Sequence, residues 1–146
     1  MTQLRFLPTL FVADVEASSR WYQQLFGVTS GHGGPEFEML MAPGGGHSVV
    51  LQLHKADAEE HGTRIRPGSP NGLGVLLYFQ VDDVDAVHDV RRRAGEMGAD
   101  VECEPWHNEL AHHTEFVLRD PDGYALAVHS PFVPSSSAEA RSSAMS

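Results

Sequence analysis

Histidine is the residue type with which this sequence is best equipped to do chemistry. The chain contains nine histidines, and His54 and His129 each close an apolar, variable, apolar run in different halves of the sequence. Two of the histidines have an acceptor group close in the sequence: Glu115 lies two residues from His113, and Gln52 lies two residues from His54. Residues two apart on a β-strand share a face, so each pair can point into one site. Their nitrogen and oxygen atoms can bind a ligand by hydrogen bonds or hold a metal.

Covalent catalysis has no support in the sequence. Cys103 is the single cysteine, so no intramolecular disulfide and no CxxC pair can form, and its alternating neighbours favour a structural thiol on a strand. No serine lies in a Gly-x-Ser-x-Gly elbow. The glycines at 44–46 are followed by His47 rather than the lysine of a phosphate-binding loop, which indicates a hairpin turn.

Composition and charge restrict the classes of partner. The chain has 146 residues, 41% of them apolar, which suits one folded domain built from one or two modules. Twenty acidic residues against ten basic ones give a net charge of -10, which disfavours nucleic acid and anionic membranes. The acidity favours a neutral or cationic ligand, although it also serves solubility. With no signal peptide and no long apolar segment, we expect a cytoplasmic protein.

Two halves of the chain repeat each other. The segment Val12–Ala17 returns as Val81–Ala86, and each copy follows an apolar strand-like run and contains an aspartate suited to cap a helix. The halves also close alike, with Leu51–His54 in the first and Leu126–His129 in the second. The repeat predicts that the two halves have the same fold.

Hydrophobic periodicity predicts strand, helix and then two or three strands in each half. In the first half we expect a helix over Val15–Phe26 between strands over Leu7–Val12, Phe37–Met41 and Ser48–His54. In the second half we expect a helix over Val84–Met97 with strands over Val75–Val81, Asp100–Cys103, Thr114–Arg119 and Tyr124–His129. One domain over 1–132 is therefore predicted, with modules at about 5–60 and 75–132, an exposed linker at about 61–74 and a disordered tail at 133–146.

These segments resemble the vicinal oxygen chelate superfamily, which contains glyoxalase I, the bleomycin-resistance proteins and the extradiol dioxygenases. The resemblance rests on Leu10–Asp14 and Trp21–Gly27 in the first half and on Phe116–Tyr124 in the second, and it covers about residues 5–132. It implies an α+β fold of two tandem βαβββ modules, whose curved mixed sheets enclose a cup. It also implies a homodimer, in which the cup is often completed or swapped.

The resemblance also locates the positions at which metal-using relatives hold their ion. Carried over to this chain, they read Leu7 and Leu76 on the opening strands and Gln52 and Ala127 on the closing strands. Leucine and alanine offer no nitrogen or oxygen donor, so three of the four positions cannot bind a metal. This departure argues against glyoxalase or dioxygenase activity and resembles the antibiotic-binding branch of the family.

Period-two alternation predicts which side chains line the cup. If Leu10 and Val12 pack under the first helix, the residues that alternate with them face the ligand. Trp106 is placed in the loop before the last hairpin, where it either caps the cup mouth or anchors the loop to the surface. For Phe11 and Tyr78, core packing is an equally good explanation. The predicted ligand-binding residues are Thr9, Phe11, Gln52, His54, Tyr78, Gln80, Trp106, His113, Glu115 and His129.

The sequence therefore favours a metal-free, homodimeric protein that binds or sequesters an aromatic or antibiotic-like small molecule and needs no cofactor. The alternative is a metal-dependent lyase, isomerase or dioxygenase that uses one divalent ion and relocated ligands. The candidates for those ligands are Gln52, His54, His113, Glu115 and His129. A protein-interaction module is a third possibility, against which a deep cup would argue.

Overall fold

Both helices begin at the aspartate that the repeat marks as a cap. In the computed structural model, α1 (Val15–Phe26) follows Asp14, whose carboxylate accepts a hydrogen bond of 2.9 Å from a backbone N–H three residues on. Helix α2 (Val84–Glu96) follows Asp83, which makes the same contact at 2.8 Å. Each contact satisfies one of the N–H groups that a helix start leaves without a partner. Gly27 ends α1 with a φ of 71°, which a side chain would disfavour.

The strands form two four-stranded mixed sheets, one in each of the units 1–69 and 70–146. The structure describes residues 3–56, 72 and 74–132. The first sheet contains β1 (Thr9–Val12), β2 (Thr29–Ser30), β3 (Phe37–Met41) and β4 (Val49–Lys55). The second contains β5 (Leu76–Gln80), β6 (Asp100–Asn108), β7 (His113–Arg119) and β8 (Ala125–His129). Their orders, β1-β4-β3-β2 and β5-β8-β7-β6, are equivalent, and in both sheets only the first pair is parallel. The predicted α+β fold of two βαβββ modules is confirmed.

One helix covers one side of each sheet. Helix α1 lies against β2, β3 and β4, and α2 lies against β6, β7 and β8. The side chains buried between helix and sheet are mainly apolar, and burying each large apolar one fully contributes about 1.5–3 kcal/mol. They include Val15, Tyr22, Leu25, Leu51 and Leu53 in the first unit, and Val87, Val90, Phe116, Leu118 and Leu126 in the second. The other side of each sheet is called the helix-free face below.

Several predicted boundaries differ from the structure. Strand β6 continues past Cys103 to Asn108, so the prediction that Trp106 lies in a loop is wrong. The opening strand begins at Thr9, so Leu7 precedes it instead of lying in it. The predicted linker, apart from Gly72 and Gly74, and the predicted tail lie outside the described residues. No helix within the described ranges is long and apolar enough to cross a membrane.

Candidate ligand-binding faces

The helix-free face of the first sheet is centred on His54. The strand register places Phe11 of β1 and Phe37 of β3 on either side of it. The two phenyl rings lie 5.4 and 6.2 Å from the imidazole, centroid to centroid, and leave His54 only 8% exposed. Next to this trio, Thr9 donates a hydrogen bond of 3.0 Å from its hydroxyl to the side-chain oxygen of Gln52. The face is therefore largely apolar and aromatic.

Phe37 and Met39 belong to this face but were not among the predicted residues. Both side chains are half-buried, and the register sets them opposite His54 and Gln52. The signal in the sequence is misleading here because Glu38, the charged residue between them, resembles the solvent-facing position of an alternating strand. In the structure Glu38 is buried on the helix side instead.

Glu38 is a buried carboxylate whose oxygens are hydrogen-bonded within the fold. Its oxygens accept hydrogen bonds of 2.7–3.0 Å from the hydroxyls of Ser19 and Ser30 and from the backbone N–H groups of His32, Gly33 and Met39. Burial alone would raise the pKa of Glu38, but the hydrogen bonds from Ser30, Gly33, Ser19 and His32 hold it below the usual glutamate value. The carboxylate thereby fixes the loop between β2 and β3 onto α1.

Three rings cluster on the helix-free face of the second sheet. His113 of β7 and His129 of β8 have centroids 4.6 Å apart and planes inclined by 31°. Tyr78 of β5 meets His129 edge-on at 5.3 Å and lies 6.4 Å from His113. The tyrosine is 57% exposed, so much of its ring is accessible to a ligand.

Glu115 is a buried carboxylate beside these rings. It lies opposite His129 in the register of β7 and β8, and the side-chain amide of Asn108 donates a hydrogen bond of 2.5 Å to its Oε1. Its Oε2 lies 3.6 Å from Nε2 of His113, and both side chains are 8% exposed. Among the described residues that Nε2 atom is buried and has no hydrogen-bond partner. A polar pair of this kind inside a protein has unused hydrogen-bonding capacity.

The proton position on His129 follows from its neighbour. Nδ1 lies 2.8 Å from the carbonyl oxygen of Ser130, which can only accept, so Nδ1 carries the hydrogen. The neutral ring then has its lone pair on Nε2, which makes that atom an acceptor. His54 makes the equivalent contact, 3.1 Å from Nδ1 to the carbonyl oxygen of Lys55. The two histidines that the repeat relates are thus held in the same way.

The remaining predicted residues lie at the margins of the second face. Trp106 of β6 is opposite Glu115 in the register and is 48% exposed, while Gln80 of β5 is exposed opposite His129. All ten predicted residues therefore lie on helix-free faces. The first unit brings together Thr9, Phe11, Gln52 and His54, and the second brings together Tyr78, Gln80, Trp106, His113, Glu115 and His129. Their contact with a ligand remains a prediction.

A small cavity of about 240 Å³ lies at the other end of the second face. Its walls are mainly apolar, and its one charged group, the guanidinium of Arg119, is held by Glu102 at 2.9 Å and by the carbonyl oxygen of Gly123 at 3.0 Å. The cavity can accept a small apolar group. It is lined by Gly72, Gly74, Val75, Leu76, Arg119 and Ala125.

The family's metal positions do not fit a metal ion in this chain. Leu7, Leu76 and Ala127 have no donor atoms, and the side-chain oxygen of Gln52 accepts the hydroxyl of Thr9. Within residues 3–56, 72 and 74–132, no three His, Cys, Asp or Glu side chains are arranged to hold an ion. We therefore derive no chemical step through a metal.

Comparison with known proteins agrees with this geometry. The model of the Glyoxalase/Bleomycin resistance protein/Dioxygenase superfamily matches residues 5–128, and the chain belongs to that superfamily. A search of curated protein sequences found no significant match. A family enzyme from Burkholderia phytofirmans is similar in structure, with a TM-score of 0.69, 25% identity and coverage of 84% of this chain and 94% of that one.

Two further structures show that the fold is shared by proteins with different functions. Lactoylglutathione lyase from Agrobacterium tumefaciens has a TM-score of 0.65 at 19% identity, covering 88% of this chain and 94% of that chain. A fosfomycin resistance protein from Listeria monocytogenes has a TM-score of 0.64 at 13% identity, covering 90% and 95%. Fold likeness therefore leaves the activity to be argued from the residues of the site.

Proposed function

We propose that this protein binds a small aromatic molecule on its helix-free sheet faces, without a metal, and thereby sequesters it. The observation that carries the proposal is the second face, where Tyr78, His113 and His129 form a cluster of rings beside Glu115. Apolar and aromatic walls with a few fixed polar groups are the usual composition of small-molecule sites. Sequestration of this kind needs contact area and hydrogen bonds but no reactive group.

The choice between sequestration and catalysis rests on the donor positions. The neighbours described above include a lyase and an antibiotic-resistance protein, so the fold alone does not assign the function. Leu7, Leu76 and Ala127 remove the donors that metal chemistry would require, which supports binding alone. An antibiotic-like aromatic compound, as for the bleomycin-resistance branch, is the ligand class that we propose.

A fragment screen by ligand-observed NMR in metal-free buffer tests the proposal. We expect aromatic fragments to bind, and Tyr78→Ala to weaken them about tenfold because it removes an exposed stacking surface. Phe132→Ala is the matched control, since Phe132 is an exposed aromatic residue outside the sheets. Absence of aromatic binders, or equal losses in the two variants, would refute the proposal.

Metal loading tests the alternative enzyme directly. After dialysis against zinc, nickel or manganese, we expect elemental analysis to find much less than one ion per chain. Aromatic binding should also be unchanged by a chelator. One retained ion per chain would favour the metal-dependent lyase, isomerase or dioxygenase with relocated ligands.

We also propose a symmetric homodimer. The second helix-free face exposes large apolar side chains, among them Leu76, Tyr78 and Trp106, and twofold pairing commonly covers such surfaces. Sedimentation at roughly tens of micromolar, a concentration at which weak dimers persist, should show the dimer. A monomer under those conditions would refute it.

A further inference from the structure

Glu38 and Glu115, two of the buried carboxylates, differ in how much of their hydrogen-bonding capacity the fold satisfies. An ionised carboxylate has about four acceptor sites. Glu38 accepts five hydrogen bonds from the surrounding chain, whereas Glu115 accepts one within hydrogen-bond distance, from the amide of Asn108. Glu115 is nevertheless buried, with 6% of the whole residue exposed. It lies on the helix-free face, where a ligand can supply the missing donors.

The chain around Glu115 provides little positive charge. Among the described residues no lysine or arginine forms an ion pair with it, and the Nε2 atom of His113 lies 3.6 Å from its Oε2. That atom lacks a hydrogen bond, so the imidazole and the carboxylate are both incompletely satisfied. Burying an ionised carboxylate without a full set of partners is costly. This arrangement is expected where a bound molecule completes the site.

The other groups on this face favour a positive rather than a negative guest. In the neutral ring of His129, Nε2 is an acceptor, because Nδ1 donates to the carbonyl of Ser130. Tyr78 and Trp106 are about half exposed, and the faces of such rings attract cations. Acceptors and π-faces together match a flat molecule that carries N–H donors and a positive charge.

We propose that the second helix-free face binds a protonated nitrogen carried by a planar aromatic group, such as an arylamidine or a protonated heteroaromatic base. Glu115 provides the countercharge, Asn108 positions it, and His129 accepts a further N–H. Tyr78 and Trp106 contact the ring. This inference rests on the proposed function for the location of the site and adds the charge and hydrogen-bonding character of the ligand.

Benzamidine, benzamide and benzoate provide a matched test, because they share one ring and a similar size but carry charges of +1, 0 and −1. Titration calorimetry on the full chain in metal-free buffer should show benzamidine binding at least tenfold more tightly than benzamide, with benzoate weakest. Glu115→Gln should reduce the affinity for benzamidine to the level of benzamide, a much larger loss than benzamide itself suffers. The control Glu96→Gln removes an equal charge from an exposed position on α2, where Glu96 pairs with Arg92. It should change the affinity for benzamidine less than twofold.

A second variant does not disturb the buried pair. Gln80 is exposed opposite His129, so Gln80→Lys places a cation on the face without altering its core. We expect it to reduce the affinity for benzamidine at least tenfold more than the affinity for benzamide. Circular dichroism and thermal melting verify the fold of each variant.

Three results would overturn this inference. Equal affinity for the three probes would mean that Glu115 is already neutralised, for example by a protonated His113, while binding itself would leave the proposed function standing. Equal losses in Glu115→Gln and Glu96→Gln would show attraction by overall charge instead of a site. Failure of benzamidine to bind would also refute it, and the fragment screen would then decide the proposed function separately.

Discussion

The two units have the same framework but place different side chains around it. In both sheets a histidine on the last strand lies between two neighbouring strands, and its Nδ1 atom is held by the carbonyl of the following residue. Around His54 those neighbours are Phe11 and Phe37. Around His129 they are Gln80 and Glu115. The repeat thus preserves backbone register and imidazole orientation, whereas the polarity of each face is set by the residues on the adjacent strands.

The carboxylates extend this comparison. The first unit places Glu38 under α1 and surrounds it with hydroxyl and backbone donors, so its charge stabilises a loop. The second unit places Glu115 on the helix-free face with one close donor, so its charge contributes little to the fold. A buried charge that the fold does not satisfy is a better indication of binding than a satisfied one.

The largest effect should come from Glu38→Gln. A neutral amide cannot accept five hydrogen bonds, and its own N–H group would face other donors, so we expect a loss of about 3 kcal/mol in the free energy of unfolding. For a chain of this size, that corresponds to a fall of about 10 °C in melting temperature. Glu36→Gln is the control, because the side chain of Glu36 forms an exposed ion pair with Lys55, and it should cost less than about 0.5 kcal/mol. Equal melting temperatures for the two variants would contradict the stabilising role assigned to Glu38.

The second effect is acid sensitivity that depends on Glu38. Its pKa is lowered in the folded protein, so the unfolded chain binds the proton more tightly. The stabilisation is complete above the unfolded value of about 4.3 and is lost as pH falls through the lower folded-state pKa. Urea titrations at decreasing pH should therefore show wild type losing stability faster than Glu38→Gln below about pH 4.5. If the difference in unfolding free energy between wild type and Glu38→Gln stayed constant down to pH 2, Glu38 would titrate alike in the folded and unfolded states.

Glu115→Gln should have a much smaller effect on stability. The amide can still accept from Asn108, and its N–H group can donate to Nε2 of His113, which now lacks a partner. Replacing an incompletely satisfied buried charge by a neutral group is commonly neutral or stabilising, so we expect a change within about 1 kcal/mol. Urea denaturation measures it. A loss as large as that of Glu38→Gln would place Glu115 among the residues that hold the fold together.

Much of the fold could be predicted because its signals are local. Capping aspartates mark both helix starts, and period-two alternation assigns faces on the strands that close each module. Trp106 was misplaced because Pro105 resembles the start of a loop. Strand β6 lies at the edge of its sheet and is irregular between Cys103 and Trp106, and an edge position tolerates a proline.

The polar contacts of the site were less predictable. The face of β3 could not be assigned from polarity, because the donors that allow Glu38 to be buried come from α1 and from a loop backbone. Likewise, the pairing of Glu115 with Asn108 depends on the register of β6 against β7, which the bulges in β6 shift. Such contacts depend on tertiary structure and leave no periodic signal in the sequence.

The smallest expected effect separates the two histidines. His129→Phe keeps a ring in place but removes the acceptor at Nε2, so benzamidine should bind about fivefold more weakly, as expected for one hydrogen bond. His54→Phe is the matched variant, and because its neighbours Phe11 and Phe37 are apolar, it should change benzamidine affinity less than twofold. Titration of both variants with benzamidine and with acetophenone, a neutral ring compound without an N–H donor, distinguishes a lost acceptor from a disturbed ring cluster, since loss of the acceptor alone spares acetophenone. Equal losses in the two variants would show that both histidines act on one ligand. The difference in polarity between the units would then have no bearing on where the cation binds.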